Sequence, residues 1–291
     1  SWGWTDVADL NYDNADMRKA MIADMAYWIT DVDVDGFRMD VAHGVPNDFW
    51  DEVAKALYPL KTIFMLAESE TPYHTNSSDF HATYGWSFHH LMNDIAKGKH
   101  KASDIDAYLA KDAKEFNRGF HMHFTSNHDE NSWGGTVFER MGEGHKTFAV
   151  LAATLDGMPL IYGGQEAPLR KRLEFFEKDA IEWNDYAYTD FYKTLLALKK
   201  KNQALWNGEY GGKVQKIKTD KEEDVYAFMR EKNGDKVVVI LNLSDRSQQV
   251  TLEGDAYIGD YMDVFNNRTT LLEKNMGMAL NPWDYVVLSS K

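Results

Sequence analysis

The spacing of apolar residues divides the chain into two regions with different patterns. Between Asn11 and about Leu205, short apolar runs alternate with longer segments in which apolar residues recur every three or four positions. Short strands that alternate with amphipathic helices are typical of βα units in a parallel sheet. The pattern therefore predicts an α/β fold for the first two-thirds of the chain.

The apolar runs place the strands of this region, and the helical periods place its helices. Asp13 or Asn14 can cap the first helix, and Pro46 suits the first turn of the second. Strands are predicted at 35–40, 63–67, 120–125 and 158–162, and further helices at 86–96, 103–116, 146–155 and 189–200.

The pattern changes near Trp206 to β-rich runs separated by Gly, Asn and Asp turns. Runs such as 225–230, 236–243 and 285–288 predict a small antiparallel β-sandwich. The sequence thus predicts two domains, 1–205 and 206–291.

Composition excludes several kinds of function. The chain has 291 residues and a formal net charge of -14, which would repel a nucleic acid. It contains no cysteine, so disulfides, thiolate metal sites and thiol nucleophiles are excluded. No apolar run approaches the ~18 residues of a membrane span, and the first residues do not resemble a signal peptide. A soluble protein is expected, with the cytoplasm and secretion both open.

Three acidic residues stand at or just after the ends of predicted strands. Asp40 ends GFRMD, Glu68 ends IFMLAE and Asp129 follows FHMHFTSNHD. In a parallel βα barrel the strand ends share one face, where active sites are built. We therefore expect the three acids to converge, although acidic loops and helix caps are a structural alternative.

Two carboxyl groups in one pocket suit the retaining cleavage of a glycosidic bond, which needs them about 5–5.5 Å apart. Arg38 lies two residues before Asp40 on the same strand, so its guanidinium can pair with that carboxylate. This spacing favours Asp40 as nucleophile. Glu68 has no cation within two residues and follows an apolar strand, the setting expected of a proton donor. A purely structural ion pair is the alternative for Arg38.

The segments GFRMD, MLAE, FTSNHD and GMPLIYGGQE resemble, in order, four short regions of the α-amylase superfamily of glycoside hydrolases, family 13-like. The resemblance implies Asp40 as nucleophile and Glu68 as general acid and base. It implies that Asp129 binds sugar hydroxyls and stabilises the transition state. It also implies that Arg38 lies beside the nucleophile and that His128 donates a hydrogen bond to the sugar.

The same resemblance implies a (β/α)8 TIM barrel followed by the β-sandwich, of which this chain holds only about strands four to eight. The family's DxxxNH-like region and its inserted second domain are not found in the sequence. His43 and Gly44 stand where many members carry a Lys-His pair, and His43 is the candidate sugar contact there. We expect a fragment of a longer enzyme, or a chain completed by a second polypeptide with the earlier strands. No cofactor is expected in this chain, and a calcium site in the full-length enzyme stays open.

The function expected from these residues is hydrolysis of α-glucosidic linkages in starch, maltodextrin or related α-glucans through a covalent glycosyl-enzyme intermediate. Glycosyl transfer or phosphorolysis by the same site is an alternative, because only the acceptor differs. An inactive sugar-binding fragment is another. A metal-dependent hydrolase that uses His121 and His123 with His128 and Asp129 is a further alternative.

Overall fold

The computed structural model describes residues 3–183 and 185–290. The chain forms two compact units. The first comprises Ser1–Tyr84 and Glu115–Gly119, and the second comprises Gly85–Lys114 and Phe120–Lys291. The predicted boundary at 205/206 stays a prediction.

The first unit has short parallel strands covered by helices. Asn14 begins the first helix, and its side chain accepts hydrogen bonds from the backbone N–H groups of Asp16 (2.9 Å) and Met17 (3.2 Å), as predicted. The helices are α1 (Ala15–Thr30), α2 (Asn47–Leu57) and α3 (Pro72–Asn76), and the strands are β1 (Gly36–Met39), β2 (Phe64–Ala67) and β3 (Ala82–Tyr84).

The apolar face of α2 builds the core of this unit. It packs with β2 and with the apolar side of α1. The buried residues of α2 are Phe49, Trp50, Val53, Ala54 and Leu57. Their spacing of three and four residues is the one from which the helix was predicted, so here the sequence pattern and the burial agree.

The second unit continues the parallel βα pattern and then becomes antiparallel. Its first two strands, Phe120–His123 and Met158–Pro159, pair in parallel, with Met122 opposite Met158. The elements before residue 202 are α4 (Trp86–Ala96), α5 (Asp104–Glu115), β4 (Phe120–His123), α6 (Val137–Met141), α7 (His145–Thr154), β5 (Met158–Pro159) and α8 (Thr189–Lys201).

Residues 215–290 form two antiparallel sheets, one of six strands and one of two. The strands are β6 (Gln215–Ile217), β7 (Val225–Lys232), β8 (Asp235–Asn242), β9 (Gln248–Thr251), β10 (Gly259–Asp263), β11 (Arg268–Leu272), β12 (Gly277–Leu280) and β13 (Tyr285–Ser290). The six-stranded sheet has the order β11-β10-β13-β8-β7-β6, and β12 pairs with β9 in the two-stranded sheet.

The large sheet is buried on both faces at its strands β7 and β8. Val225, Ala227 and Met229 of β7 face a core shared with the two-stranded sheet. Tyr226 and Phe228 point to the opposite face, into the core that contains α4, α7 and α8. Burial on both faces explains why β7 and β8 have continuous apolar runs in the sequence instead of a strict alternation.

Several elements differ from the sequence-based expectation. The segment after β2, which has the composition of a loop, contains α3 and β3. Strand β5 is shorter than the predicted 158–162. A π-helical turn, Glu130–Gly134, follows Asp129. None of the helices in the described part of the chain is both long and apolar enough for a membrane crossing.

Candidate active site

Asp40 and Glu68 follow two neighbouring parallel strands at the same edge of the sheet. Met39 pairs with Ala67 at the ends of β1 and β2, and the backbone N–H of Glu68 donates to the carbonyl of Met39 over 3.0 Å. The next residue on each strand is therefore an acid on the same edge. This part of the expected convergence is present in the structure.

One arginine contacts both acids. Nη1 of Arg38 pairs with Oδ1 of Asp40, and Nη2 lies 2.7 Å from Oε1 of Glu68. Nε donates to the hydroxyl of Tyr84 over 3.0 Å. Burial disfavours the charged guanidinium, but the hydrogen bonds with Tyr84 and Asp40 outweigh it, and the pKa of Arg38 is raised. The pairing with Asp40 was predicted, whereas the cation beside Glu68 was not, because it comes from the neighbouring strand.

The two carboxyl groups differ in exposure. The side chain of Asp40 is 73% exposed and that of Glu68 is 12% exposed. Burial raises the pKa of Glu68 above its ordinary value, although the N–H of Val41 and the charge of Arg38 act in the opposite direction. The negative charge of Asp40 raises this pKa further. Glu68 is thus the carboxyl group that holds a proton more readily than an ordinary glutamate.

The backbone after Asp40 turns sharply and presents an N–H group to Glu68. Val41 has φ 45° and ψ 42°, a left-handed conformation that is costly for a β-branched residue. Its N–H donates to Oε2 of Glu68 over 2.7 Å. The turn leads into the short 3-10 helix Ala42–Gly44, anchored by the indole N–H of Trp50, which donates to the carbonyl of Ala42 over 3.0 Å.

His43 lies in this 3-10 helix and is exposed. The imidazole of His74 is completely buried, and burial, with a further contribution from the charge of His43, lowers the pKa of His74 to about 4. Nδ1 of His74 lies 2.7 Å from Oγ of Ser69, the residue after Glu68. His74 is therefore a neutral, packed side chain that holds the segment after Glu68.

His128 and Asp129 lie in the second unit, in the segment that follows β4. Nε2 of His128 is 3.4 Å from Oδ2 of Asp129. Burial raises the pKa of Tyr162, and the negative charge of Asp129 raises it further. Tyr162 belongs to GMPLIYGGQE, and Gln165 of the same segment donates from Nε2 to Oγ1 of Thr125 over 3.1 Å, so the structure brings this segment together with FTSNHD.

A buried polar network supports the NHD segment. Arg140 donates to the carbonyl of Thr125 (2.6 Å) and to Oδ1 of Asn93 (2.9 Å). Nε2 of His89 lies 3.1 Å from Oε2 of Glu130, the residue after Asp129, and this contact lowers the pKa of Glu130. These groups come from α4, α6 and the π-helical turn, and together they determine the course of the backbone on both sides of Asp129.

The predicted site residues thus form two groups. Arg38, Asp40 and Glu68 are together in the first unit, with His43 exposed on the turn that follows. His128 and Asp129 are together in the second unit. Convergence of the two groups in one pocket stays a prediction. Sequence reasoning missed Tyr84 and the conformation of Val41, and neither had a signal in the motif spacing.

The two histidines considered as metal ligands have different partners. Nε2 of His121 is 2.7 Å from Oδ1 of Asp112, and Nε2 of His123 donates to the carbonyl of Asp156 over 2.9 Å. Burial lowers the pKa of His123 to about 3. Within residues 3–183 and 185–290, no three His, Asp or Glu side chains are grouped so that they could hold a metal ion.

Comparison with known families tests the resemblance found in the motifs. The alpha-amylase catalytic domain family matches residues 3–238. The chain belongs to this family. The C-terminal domain family of the maltogenic amylases matches residues 215–287, the region of the antiparallel sheets. The family membership predicted from the four motifs is therefore confirmed.

Individual curated proteins match over most of the chain. The alpha-amylase MalA of Haloarcula japonica is 27% identical over 258 residues, which cover 86% of this chain and 37% of that protein. A cyclomaltodextrinase of Thermoanaerobacter pseudethanolicus is 27% identical over 254 residues, which cover 82% of this chain and 42% of that protein. The chain thus spans less than half the length of these curated relatives.

Solved structures show the same fold. The maltogenic alpha-amylase AmyB of Thermotoga neapolitana matches with a TM-score of 0.83 and 25% identity, over 98% of this chain and 69% of that chain. An alpha-amylase of Lactobacillus plantarum matches with a TM-score of 0.78 and 21% identity, over 99% and 70%.

Proposed function

We propose that the protein is a retaining glycoside hydrolase that cleaves α-glucosidic linkages of starch, maltodextrin or related α-glucans. The observation that supports this most directly is that Arg38 contacts two carboxyl groups of unlike environment, the exposed Asp40 and the mostly buried Glu68. A shared guanidinium keeps the pair close together, as the ~5–5.5 Å of a retaining mechanism requires.

In this mechanism Asp40 attacks the anomeric carbon while Glu68 gives its proton to the leaving oxygen. The glycosidic bond breaks as the bond to Asp40 forms, which produces a glycosyl-enzyme. Glu68, now ionised, removes a proton from water, whose oxygen then displaces Asp40. The raised pKa of Glu68 suits its first role, because the group must enter the cycle protonated.

Asp129 and His128 supply contacts to the sugar in this proposal. Both side chains are partly exposed beside each other, so they can bind hydroxyl groups without first breaking a buried structure. The strongly acidic chain also suits a neutral polymer better than an anionic one. The names of the relatives, alpha-amylases and cyclomaltodextrinases, support an α-glucan as the substrate class.

The roles of the two acids can be tested with Asp40→Asn and Glu68→Gln, with the exposed helix residue Asp24→Asn as matched control. Reducing-sugar release from maltoheptaose should fall about 10²–10⁴-fold in both site variants and stay unchanged in the control. With a substrate that carries an activated leaving group, azide should rescue Glu68→Gln and yield an α-glycosyl azide. Full activity of Asp40→Asn, or products of inverted configuration, would contradict the mechanism. Products formed with an added acceptor sugar measure glycosyl transfer in the same assay.

The proposed active form contains barrel strands beyond this chain. Among the described residues no strand pairs with the second edge of β1 or with that of β5. Unpaired edges expose backbone donors and acceptors that normally find a partner. Intact mass and subunit content of the purified native protein would test this. A monomer of this chain alone with full activity would disprove it. Loss of activity in EDTA that added calcium alone restores would show a need for a calcium ion.

A further inference from the structure

Aromatic side chains form an exposed cluster beside His128. Trp133 is 63% exposed, Phe175 40% and Phe176 68%. The ring centroid of Phe175 lies 5.1 Å from that of Trp133 and 4.9 Å from that of Phe176. We refer to these three residues as the aromatic platform. Large apolar groups that remain together at a surface commonly mark a binding site.

The platform is continuous with a predicted sugar contact. The ring of Phe175 stacks on the imidazole of His128, with centroids 6.2 Å apart and an angle of 22° between the planes. His128 in turn contacts Asp129. A chain bound at His128 would therefore reach the platform with its next residues.

Hydrogen bonds join the two segments that carry the platform. Asn131 is buried, and its side-chain Nδ2 donates to the carbonyl of Lys171 over 3.1 Å, while its Oδ1 accepts from the N–H of Leu173 over 2.8 Å. The hydroxyl of Ser132 donates to the carbonyl of Leu173 over 2.7 Å. Trp133 follows directly in one segment, and Phe175 lies two residues further on in the other.

An ion pair adds a second link between the segments. Arg172 donates from Nε to Oε2 of Glu139 over 3.0 Å and from Nη2 to Oε1 over 2.9 Å. Gly135, between the two segments, has φ +107°, a backbone conformation that favours glycine. The platform is therefore held in place by its supports, which lowers the entropy cost of binding.

We propose that Trp133, Phe175 and Phe176 bind the pyranose rings of an α-glucan chain by stacking, and so extend the binding site beyond His128. The C–H faces of glucose residues are apolar enough to pack on aromatic faces, while their hydroxyls remain in water. A neutral, flexible polysaccharide fits an exposed platform within a strongly acidic protein. This inference rests on the proposed function, because it takes the same ligand class.

Binding without turnover tests the platform. In the Asp40→Asn background, the Kd for maltoheptaose would be measured by calorimetry, and retardation by soluble starch in native gels. Trp133→Ala and Phe176→Ala should each weaken binding about two- to tenfold, as loss of one aromatic contact predicts. Trp133→Phe should restore most of the affinity. Tyr210→Ala, which removes an exposed aromatic ring outside the platform, should leave the Kd unchanged.

The outcomes separate this inference from the proposed function. If the Asp40→Asn protein binds no glucan, the proposed function fails. If it binds glucan and the Ala variants, with unchanged melting temperature, bind equally well, only the platform is disproved. If the variants instead lose self-association in sedimentation while their Kd is unchanged, the surface joins copies of this chain, and the proposal is overturned.

Discussion

Replacement of Arg38 by methionine tests whether one guanidinium organises the catalytic pair. Methionine keeps much of the side-chain volume and removes the charge together with all donors. Both carboxyl groups then lose their shared cation, and the hydroxyl of Tyr84 loses the Nε–H that it accepts at 3.0 Å. The proposed mechanism needs both acids in place at once, so the loss should appear mainly in kcat.

The exposure of each contact sets the size of the effect. The link to Asp40 lies in solvent and should contribute only about 0–1 kcal/mol. The link to Glu68 is mostly buried, and a hydrogen bond to a charged group there contributes about 1.5–3 kcal/mol. A total of about 1.5–4 kcal/mol corresponds to a fall in kcat/KM of roughly 10- to 1000-fold.

The pH profile of the Arg38→Met variant gives a second, independent readout. The charge of Arg38 lowers the pKa of Glu68, so its removal should raise that pKa further. Because protonated Glu68 is the active form, the alkaline limb of kcat/KM should move to higher pH.

The assay is kcat/KM for maltoheptaose measured across pH. Arg118→Met is the matched control, since Arg118 is an exposed arginine of the same unit whose Nη1 donates to Oγ of Ser78. It should behave as wild type. Activity of Arg38→Met within about threefold of wild type, or an alkaline limb displaced to lower pH, would refute the reasoning.

Three further predictions concern stability. Arg230 is fully buried and donates to the backbone carbonyls of Gly212, Thr154 and Trp206. Arg230→Met should therefore lower the free energy of unfolding, measured by urea titration, by about 3–5 kcal/mol, and a loss below about 1 kcal/mol would contradict this structural role. Asn14→Ala removes the N-cap of α1 and should cost about 1 kcal/mol by the same measurement, whereas an unchanged midpoint would contradict the capping role. The hydrogen bonds from Arg172 and Thr136 lower the pKa of Glu139 to about 2, so the stabilisation that ionised Glu139 provides is complete above the ordinary carboxyl pKa and is lost as pH falls toward 2. In Glu139→Gln the melting temperature should therefore depend less on pH over that range. A pH dependence of the melting temperature identical to that of wild type would contradict this role of Glu139.

Local patterns in the sequence were enough for most helices and for the catalytic candidates. The apolar face of α2 and the bounds of α4, Trp86–Ala96, follow from a period that depends only on neighbouring residues. Asp40 and Glu68 were identified in the same way, because each follows a strand that is predicted from the apolar residues of its own segment. The antiparallel region was also evident from its composition.

The sequence did not correctly predict elements that lack a repeating pattern of apolar residues. Strand β3, Ala82–Tyr84, has only three residues and forms because β2 offers a parallel edge, with Leu66 opposite Ala82. Strand β5 ends at Pro159 although the apolar run continues, since only two residues pair with β4. Strand formation depends on a partner that is distant in the sequence, so apolar character alone does not set its length.

The contacts that give the acids different environments also depend on tertiary structure. Arg38 reaches Glu68 because β1 and β2 are neighbours, and burial of Glu68 by the surrounding chain raises its pKa despite that cation. The aromatic platform forms because Asn131 binds the backbone of residues 171–173 across about forty positions of sequence. Motif spacing identifies which side chains are available for chemistry. Their charge state, partners and exposure follow from how distant segments pack, and these are properties that only the folded chain has.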